Sequence, residues 1–167
     1  LRSLVGSEMC IRDSYKIDMD DLKAALDTEE RSRLENEDDY TMILVNIPVV
    51  EEEEGKKWYE TIPLGIFITN KIVFTVCLEQ TNILKQFVDG LVSNFYTFMK
   101  TRFVYQILYN NGALFLYYLR VIDQRANQVE DLLHETYENK DLIQLYDLEK
   151  CLVYFTTALK SNEVVLE

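Results

Sequence analysis

The stretch Phe98–Glu167, FMKTRFVYQILYNNGALFLYYLRVIDQRANQVEDLLHETYENKDLIQLYDLEKCLVYFTTALKSNEVVLE, decides the fold. Leu108, Phe115, Leu119, Ile122, Ala126, Val129 and Leu133 follow one another in steps of three and four, with one double step over Gly112. Leu145, Leu148, Leu152, Phe155, Leu159 and Leu166 do the same, with polar Asn162 in the one gap. That spacing places side chains on one stripe of a helix. Stripes this narrow predict two long helices folded back on each other along a coiled-coil-like seam. Glu138-Asn-Lys-Asp141, short and polar, is the expected connection. The second stripe still runs at Glu167 with no Gly or Pro to stop it, so a truncated helix of a longer protein is expected.

Working back toward the N-terminus, Asn82–Leu91 reads as a helix capped by Thr81, with Ile83, Leu84, Phe87 and Val88 inward. Trp58–Ile68 and Lys71–Leu78 read as an antiparallel hairpin turning at Thr69-Asn70. Tyr40–Val50 is a strand with apolar residues on both faces, Met42 and Leu44 against Ile43, Val45 and Ile47. Such a strand is central and covered on both sides. Pro48 is expected to end its regular pairing or mark an edge. The run Glu51–Lys57 reads as a polar, solvated turn. Asp27–Asp39, dense in charge of both signs, reads as a surface connection, and Asp18–Leu26 as a short helix with Leu22, Ala25 and Leu26 inward. Leu1–Ser14 has no clear period and is similar to a translated sequencing adaptor, which predicts a non-native leader.

Strands first and helices after predict an α+β, layered α/β/α fold. An antiparallel-rich sheet is covered by helices and followed by the long helical hairpin. The expected division is residues 1–14 leader, 15–97 sheet part, and 98–167 hairpin leading to a membrane-directed stalk helix.

The formal net charge of −12 disfavours nucleic acid and anionic lipid as partners and favours cations. Acidity can equally serve solubility alone. Cys10, Cys77 and Cys151 match neither a disulfide framework nor a metal-ligand pair, and fit free thiols in a reducing compartment. No apolar run approaches the ~20 residues of a membrane span. His134 is the one histidine, on the charged side of the first long helix. No His-Glu-x-x-His, Gly-x-Ser-x-Gly or phosphate-binding glycine loop occurs, so an enzyme is not expected. The aromatic band Phe95–Tyr118 is expected to cover the sheet, and Gly112 to mark close packing or a slight kink.

Four segments carry a resemblance. They are Leu22–Leu34, Pro63–Val76 (PLGIFITNKIVFTV), Arg120–Leu133 (RVIDQRANQVEDLL) and Leu148–Glu163 (LEKCLVYFTTALKSNE). In this order and spacing they resemble the cytoplasmic N-terminal domain of the CorA family of magnesium and divalent-cation transporters. The resemblance implies a pentameric channel for Mg2+, in some members also Co2+ or Ni2+. Its pore helices and Gly-Met-Asn loop lie downstream of the segments matched. It also implies a location on the cytoplasmic side of the cell membrane, reached through those missing helices. It implies regulation by Mg2+ held between subunits by carboxylates, which offsets like-charge repulsion and keeps the pore closed. Members carry a Glu-Asp pair on the helix matching Asp20–Leu26. Here the matching positions are Lys23 and Ala24, and the role is not carried to nearby Asp27. No metal site is placed on any residue. The alternative is a soluble acidic helical-hairpin interaction module with no transport role. In either case Asp in place of Leu119 or Leu152 is expected to split the hairpin.

Overall fold

A computed structural model describes residues 15–53, 56–96, 98–136 and 139–167. The expected leader, residues 1–14, lies outside these. Helix α1 (Met19–Ala24) precedes strands β1 (Arg33–Asn36), β2 (Tyr40–Glu53), β3 (Lys56–Thr69) and β4 (Val73–Cys77). Helices α2 (Asn82–Val88), α3 (Lys100–Thr136) and α4 (Asn139–Leu166) follow. The strands form one antiparallel sheet in the order β1-β2-β3-β4.

Alternation along β2 does what its sequence dictates. Ile43, Val45 and Ile47, with Leu64 and Ile66 of β3, form a core with Ile83 and Phe87 of α2 and Phe103, Val104 and Ile107 of α3. Met42, Leu44 and Phe67 point the other way, onto Ile17, Leu22 and Ala25 at α1. Helices thus cover both faces. Gly65 permits the close approach of the α1 end. A Cβ there would stand 2.6 Å from the Ala25 Cβ and 2.9 Å from Phe67 Cε2.

Several sequence expectations need correction. The segment Asp27–Asp39 contains an edge strand, β1, with Arg33 opposite Leu44 and Asn36 opposite Thr41. Its four residues show a half-buried alternation that the dense charge hides. Pro48 does not end pairing. It lies opposite Thr61, and the β2–β3 ladder continues to Glu53 opposite Lys56. The reason is directional. The Asn46 N–H points away from β3, so by alternation the missing N–H of Pro48 falls on that same side, beyond the end of β1. The expected turn Glu51–Lys57 is therefore mostly ladder, with residues 54–55 outside the described set. The β3–β4 loop is Asn70-Lys71 rather than Thr69-Asn70. The Thr69 N–H donates to Ile72 O at 2.9 Å, and Thr69 Oγ1 accepts from the Ile72 N–H at 3.0 Å. Helix α2 stops before Gly90, which holds φ +69, and leaves Val88 exposed.

The helical hairpin forms, and α3 presents the stripe read from its sequence. Phe115, Ile122 and Val129 are buried, and Leu108, Leu119, Ala126 and Leu133 half-buried. The double step is filled not by Gly112, which is exposed and touches nothing, but by Asn111, 4% exposed. The aromatic band divides. Phe103, Phe115 and Tyr118 are buried, while Phe98, Tyr105, Tyr109 and Tyr117 are exposed.

Helix α4 departs from expectation by one residue. Of the expected stripe Phe155 is buried and Leu148 half-buried, but the other buried residues are Asp141, Cys151, Ala158 and Asn162, whereas Leu152 is 40% and Leu159 39% exposed, with Leu145 and Leu166 also outward. The Phe155 ring meets Phe115 edge-on, centroids 5.1 Å apart at 85°. Beside this apolar contact lies a polar one. The Asn46 N–H donates to Asn162 Oδ1 at 2.7 Å, and Asn162 Nδ2 donates to Asn46 O at 2.8 Å. The side chain of Asn162 therefore serves both backbone groups of Asn46, as the next residues of β1 would have done had that strand continued. The Ser32 hydroxyl donates to Asn162 Oδ1 at 2.7 Å, and the Ser32 N–H to Ser161 Oγ at 2.9 Å. Asn46 Nδ2 donates to Ser32 Oγ at 3.1 Å and Asn111 Nδ2 to Asn46 O at 2.9 Å. Buried polar groups demand such pairing. This face of α4 thus joins an apolar contact at Phe155 to a hydrogen-bonded one at Asn162.

Candidate functional site

Carboxylates are the residues through which an acidic domain could meet a divalent cation. The first group surrounds α1. Asp18 caps the helix, its side chain accepting from the Asp20 N–H at 2.9 Å, and Asp20 and Asp21 sit in the first turn, where the helix dipole favours negative charge. The Tyr40 hydroxyl accepts from the Asp18 N–H at 3.2 Å and donates to Asp21 Oδ2. Burial, and then this bond to Asp21, holds the Tyr40 hydroxyl protonated well above its ordinary range. Lys23 Nζ lies 3.3 Å from Asp20 Oδ1. Asp21 and Asp20 are thus already engaged by Tyr40 and Lys23.

The positions at which the family resemblance implied carboxylates are Lys23, on the exposed side, and Ala24, buried against the sheet. A carboxylate could not replace Ala24 without being buried among apolar side chains. Asp27 Oδ1 accepts from the Glu29 N–H at 3.0 Å and shapes the local turn. Next to α1 a cleft of about 530 Å³ is lined by Asp18, Glu37, Asp38 and Asp39 together with Lys16 and Tyr40. Lys16 stands 3.6 Å from Asp39. A second cleft, of about 610 Å³, lies between residues 28–31, β3 and α4, with Glu29, Glu30 and Glu60 on its walls. Glu30 is paired with Arg33, whose Nε also donates to Glu35 at 2.7 Å. In neither cleft do three carboxylate, imidazole or thiol side chains converge as ligands, and no such group occurs among the described residues.

The glutamate run is also accounted for by pairing. Glu52 lies opposite Lys57 in the ladder, which sets opposite charges on facing positions near the end of the β2–β3 hairpin. Burial pushes the thiols of Cys77 and Cys151 up from their ordinary values, which keeps both protonated and unreactive. The His134 side chain lies outside the described residues. The polar contact of Ser32, Asn46, Asn111 and Asn162 was not visible in the sequence as a unit. Its one signal was Asn162 standing alone on an apolar stripe.

No helix among the described residues is long and apolar enough to cross a membrane. Comparison with known proteins places the chain. The family model described as CorA-like Mg2+ transporter protein matches residues 10–167. The cobalt/magnesium transport protein CorA of Methanocaldococcus jannaschii is 26% identical over 163 residues, covering 90% of this chain and 47% of that protein. The chain therefore spans about half the length of this curated relative. Among solved structures, the soluble domain of CorA from the same organism superposes with TM-score 0.80 at 23% identity, covering 96% of this chain and 64% of that one. The complete CorA magnesium transporter from that organism gives TM-score 0.78 at 23% identity, covering 95% and 50%. The sheet with its flanking helices and long helical hairpin is thus the fold of the CorA soluble domain. The chain belongs to the CorA-like Mg2+ transporter family.

Proposed function

We propose that the chain is the cytoplasmic regulatory part of a channel that conducts Mg2+, with Co2+ or Ni2+ as further cargo. The observation that carries this reading is the family match across residues 10–167. In this reading the whole protein is a homopentamer that crosses the cell membrane, with this part on the cytoplasmic side. Residues 98–167 lead toward a stalk and pore helices of the whole protein. The ion is cargo and regulator, not a resident catalytic group, and the chain performs no covalent chemistry.

Regulation then rests on charge. Subunits carrying a formal charge of −12 each repel when brought together. Divalent cations between them offset that repulsion and favour one arrangement of subunits over another, by as much as their affinity differs between the two. Lys23 and Ala24 stand where the family pair would be, and Ala24 is buried. The regulatory ions therefore sit on other carboxylates, such as those of the cleft beside α1, or on carboxylates outside this chain.

The test is Mg2+ flux into vesicles holding the full-length protein, measured with and without Mg2+ on the side of this domain. The reading expects flux that falls when millimolar Mg2+ faces the domain. Flux indifferent to that Mg2+ would leave a channel without a sensor here. No flux of any divalent cation would leave the alternative, a soluble acidic hairpin module.

A further inference from the structure

The chain carries a formal charge of −12, yet one cleft reverses that sign. It measures about 340 Å³ and lies between the start of β3 and the seam of α3 and α4. Lys56, Lys57 and Arg125 line it, against one carboxylate, Asp147. Lys56 and Lys57 are exposed, and Lys57 has Glu52 opposite it in the ladder, so by themselves these two are ordinary surface cations. Arg125 is different. It is half-buried, and its Cζ stands 5.8 Å from the centroid of the Tyr59 ring. Among the described residues no carboxylate forms an ion pair with it, Asp147 included. A charge partly withdrawn from water without a counter-charge is costly, and the Tyr59 ring offsets only part of that cost. The chain holds 29 acidic residues, so the missing partner is not for want of carboxylates. On the same wall stands Trp58, the one tryptophan of the chain, half-buried.

We propose that this cleft binds a nucleoside monophosphate. The guanidinium of Arg125, together with Lys56 and Lys57, takes the phosphate, whose oxygens match its planar fork. Trp58 offers an indole face on which a base stacks. Gln128 of α3 and Gln144 of α4 bring amide groups that both donate and accept, as the edge of a base requires. Asp147 accepts from the ribose hydroxyls, which gives a carboxylate a part in a cleft otherwise built for an anion. Val129, Leu132 and Leu148 supply the apolar remainder of the lining. Size decides between one nucleotide and a strand. About 340 Å³ is near the lower end of ligand pockets, roughly 300–1,000 Å³. A polynucleotide would have to continue over an acidic surface that repels its phosphates, whereas a single nucleotide answers mainly to charges within a Debye length of about 8–10 Å. The inference concerns this chain alone and does not depend on the transport reading.

Trp58 makes the cleft its own reporter, since no other tryptophan contributes to the fluorescence. AMP is titrated into the whole chain in EDTA, so that no divalent cation takes part, and quenching is corrected for nucleotide absorption. Saturable quenching with a Kd below about 1 mM is expected, about tenfold or more tighter than for inorganic phosphate or adenosine alone. Arg125→Ala is expected to weaken AMP about tenfold or more, and Arg125→Lys severalfold, since an ammonium keeps the charge and loses the fork. Arg102→Ala, at a different cleft, is expected to bind AMP as the parent does. Arg125 also lies against Tyr59, so thermal denaturation is followed for each variant. Lys56→Ala with Lys57→Ala, at exposed positions, gives a reading free of that contact and is expected to weaken AMP severalfold. The proposal is overturned by an absence of saturable quenching with AMP, or by phosphate or adenosine binding as tightly as AMP. It is equally overturned by an AMP affinity unchanged in folded Arg125→Ala or, should that variant not fold, in the double lysine variant. Arg102→Ala weakening AMP as much as Arg125→Ala would overturn it too.

Discussion

Helices α3 and α4 face each other along one seam, yet their sequences speak with different clarity. On α3 the residues in steps of three and four are the ones that pack, and Phe115, Ile122 and Val129 are buried. On α4 the same reading selects Leu148 and Phe155, which pack inward, together with Leu145, Leu152, Leu159 and Leu166, which are outward, and passes over Cys151 and Ala158, which are inward. The difference lies in what each helix touches. The middle of α3 lies against aromatic and aliphatic side chains, so apolar area decides its orientation. Helix α4 meets the open side of β2 beyond the end of β1, where the Asn46 N–H needs a partner and its carbonyl, already bonded by Asn111 of α3, takes a second. An amide side chain supplies them at a position that hydrophobic periodicity scores as a defect.

The largest expected effect breaks the comparison at its apolar centre. Phe155→Ala removes a fully buried ring stacked edge-on against Phe115 and should cost about 3–5 kcal/mol of unfolding free energy in urea. Leu152→Ala, one turn earlier on the outward side, should cost under about 1 kcal/mol in this chain. Equal losses at the two positions would restore the sequence reading of α4. The expectation that Asp at Leu152 splits the hairpin is withdrawn for the same reason, since the side chain is in contact with solvent.

Next is the polar half of the seam. Asn162→Ala strips partners from Asn46 and Ser32, and each buried group left unpaired costs about 1–3 kcal/mol. Because Asn46 O keeps its bond from Asn111, the net loss should be about 2 kcal/mol by the same urea titration. A gain in stability would mean that the contact is no constraint at all.

Gly65→Ala tests the opposite face of the sheet. The new Cβ would stand 2.6 Å from the Ala25 Cβ, so α1 has to move, at about 1–3 kcal/mol. Thermal denaturation reads it. No shift in midpoint would show that α1 gives way freely.

The smallest effect is one of pH. The Tyr40 hydroxyl has its pKa raised in the folded protein, chiefly by burial and then by the bond to Asp21. A raised value means that the folded chain holds the proton more tightly than the unfolded one. The resulting stability is complete below the unfolded value of about 10 and is lost as pH rises above it. Tyr40→Phe should be less stable than the parent at pH 7 and should lose less stability on titration past about pH 10. Parallel pH profiles would remove Tyr40 from the account.

How much of this was legible in the sequence follows from the same contrast. The faces of β2, the cap at Thr81 and the existence of the β3–β4 and long-helix hairpins are set by local patterning and stand as read, while the β3–β4 turn shifts by one residue and α4 buries a different set. Strand β1 was hidden because its half-buried residues are the charged Arg33 and Glu35, which pair with each other, while Leu34 between them is exposed. Of the two expectations for Pro48 the edge one holds, since its missing N–H faces the side of β2 beyond the end of β1, and one strand alone does not carry which side that is. The acidic helix α1 was visible as a helix. Whether its carboxylates are free to bind was not, since Tyr40 and Lys23 engage Asp21 and Asp20 only in the folded chain.

The most direct test of the central claim is amide hydrogen exchange at Asn46. The account predicts that this N–H is strongly protected in the parent, although no strand lies opposite it. In Asn162→Ala it should exchange at least about tenfold faster, while the Leu44 amide, opposite β1, keeps its rate. An Asn46 amide that exchanges as freely as an unpaired edge in the parent, or that is unmoved by the substitution, would contradict it.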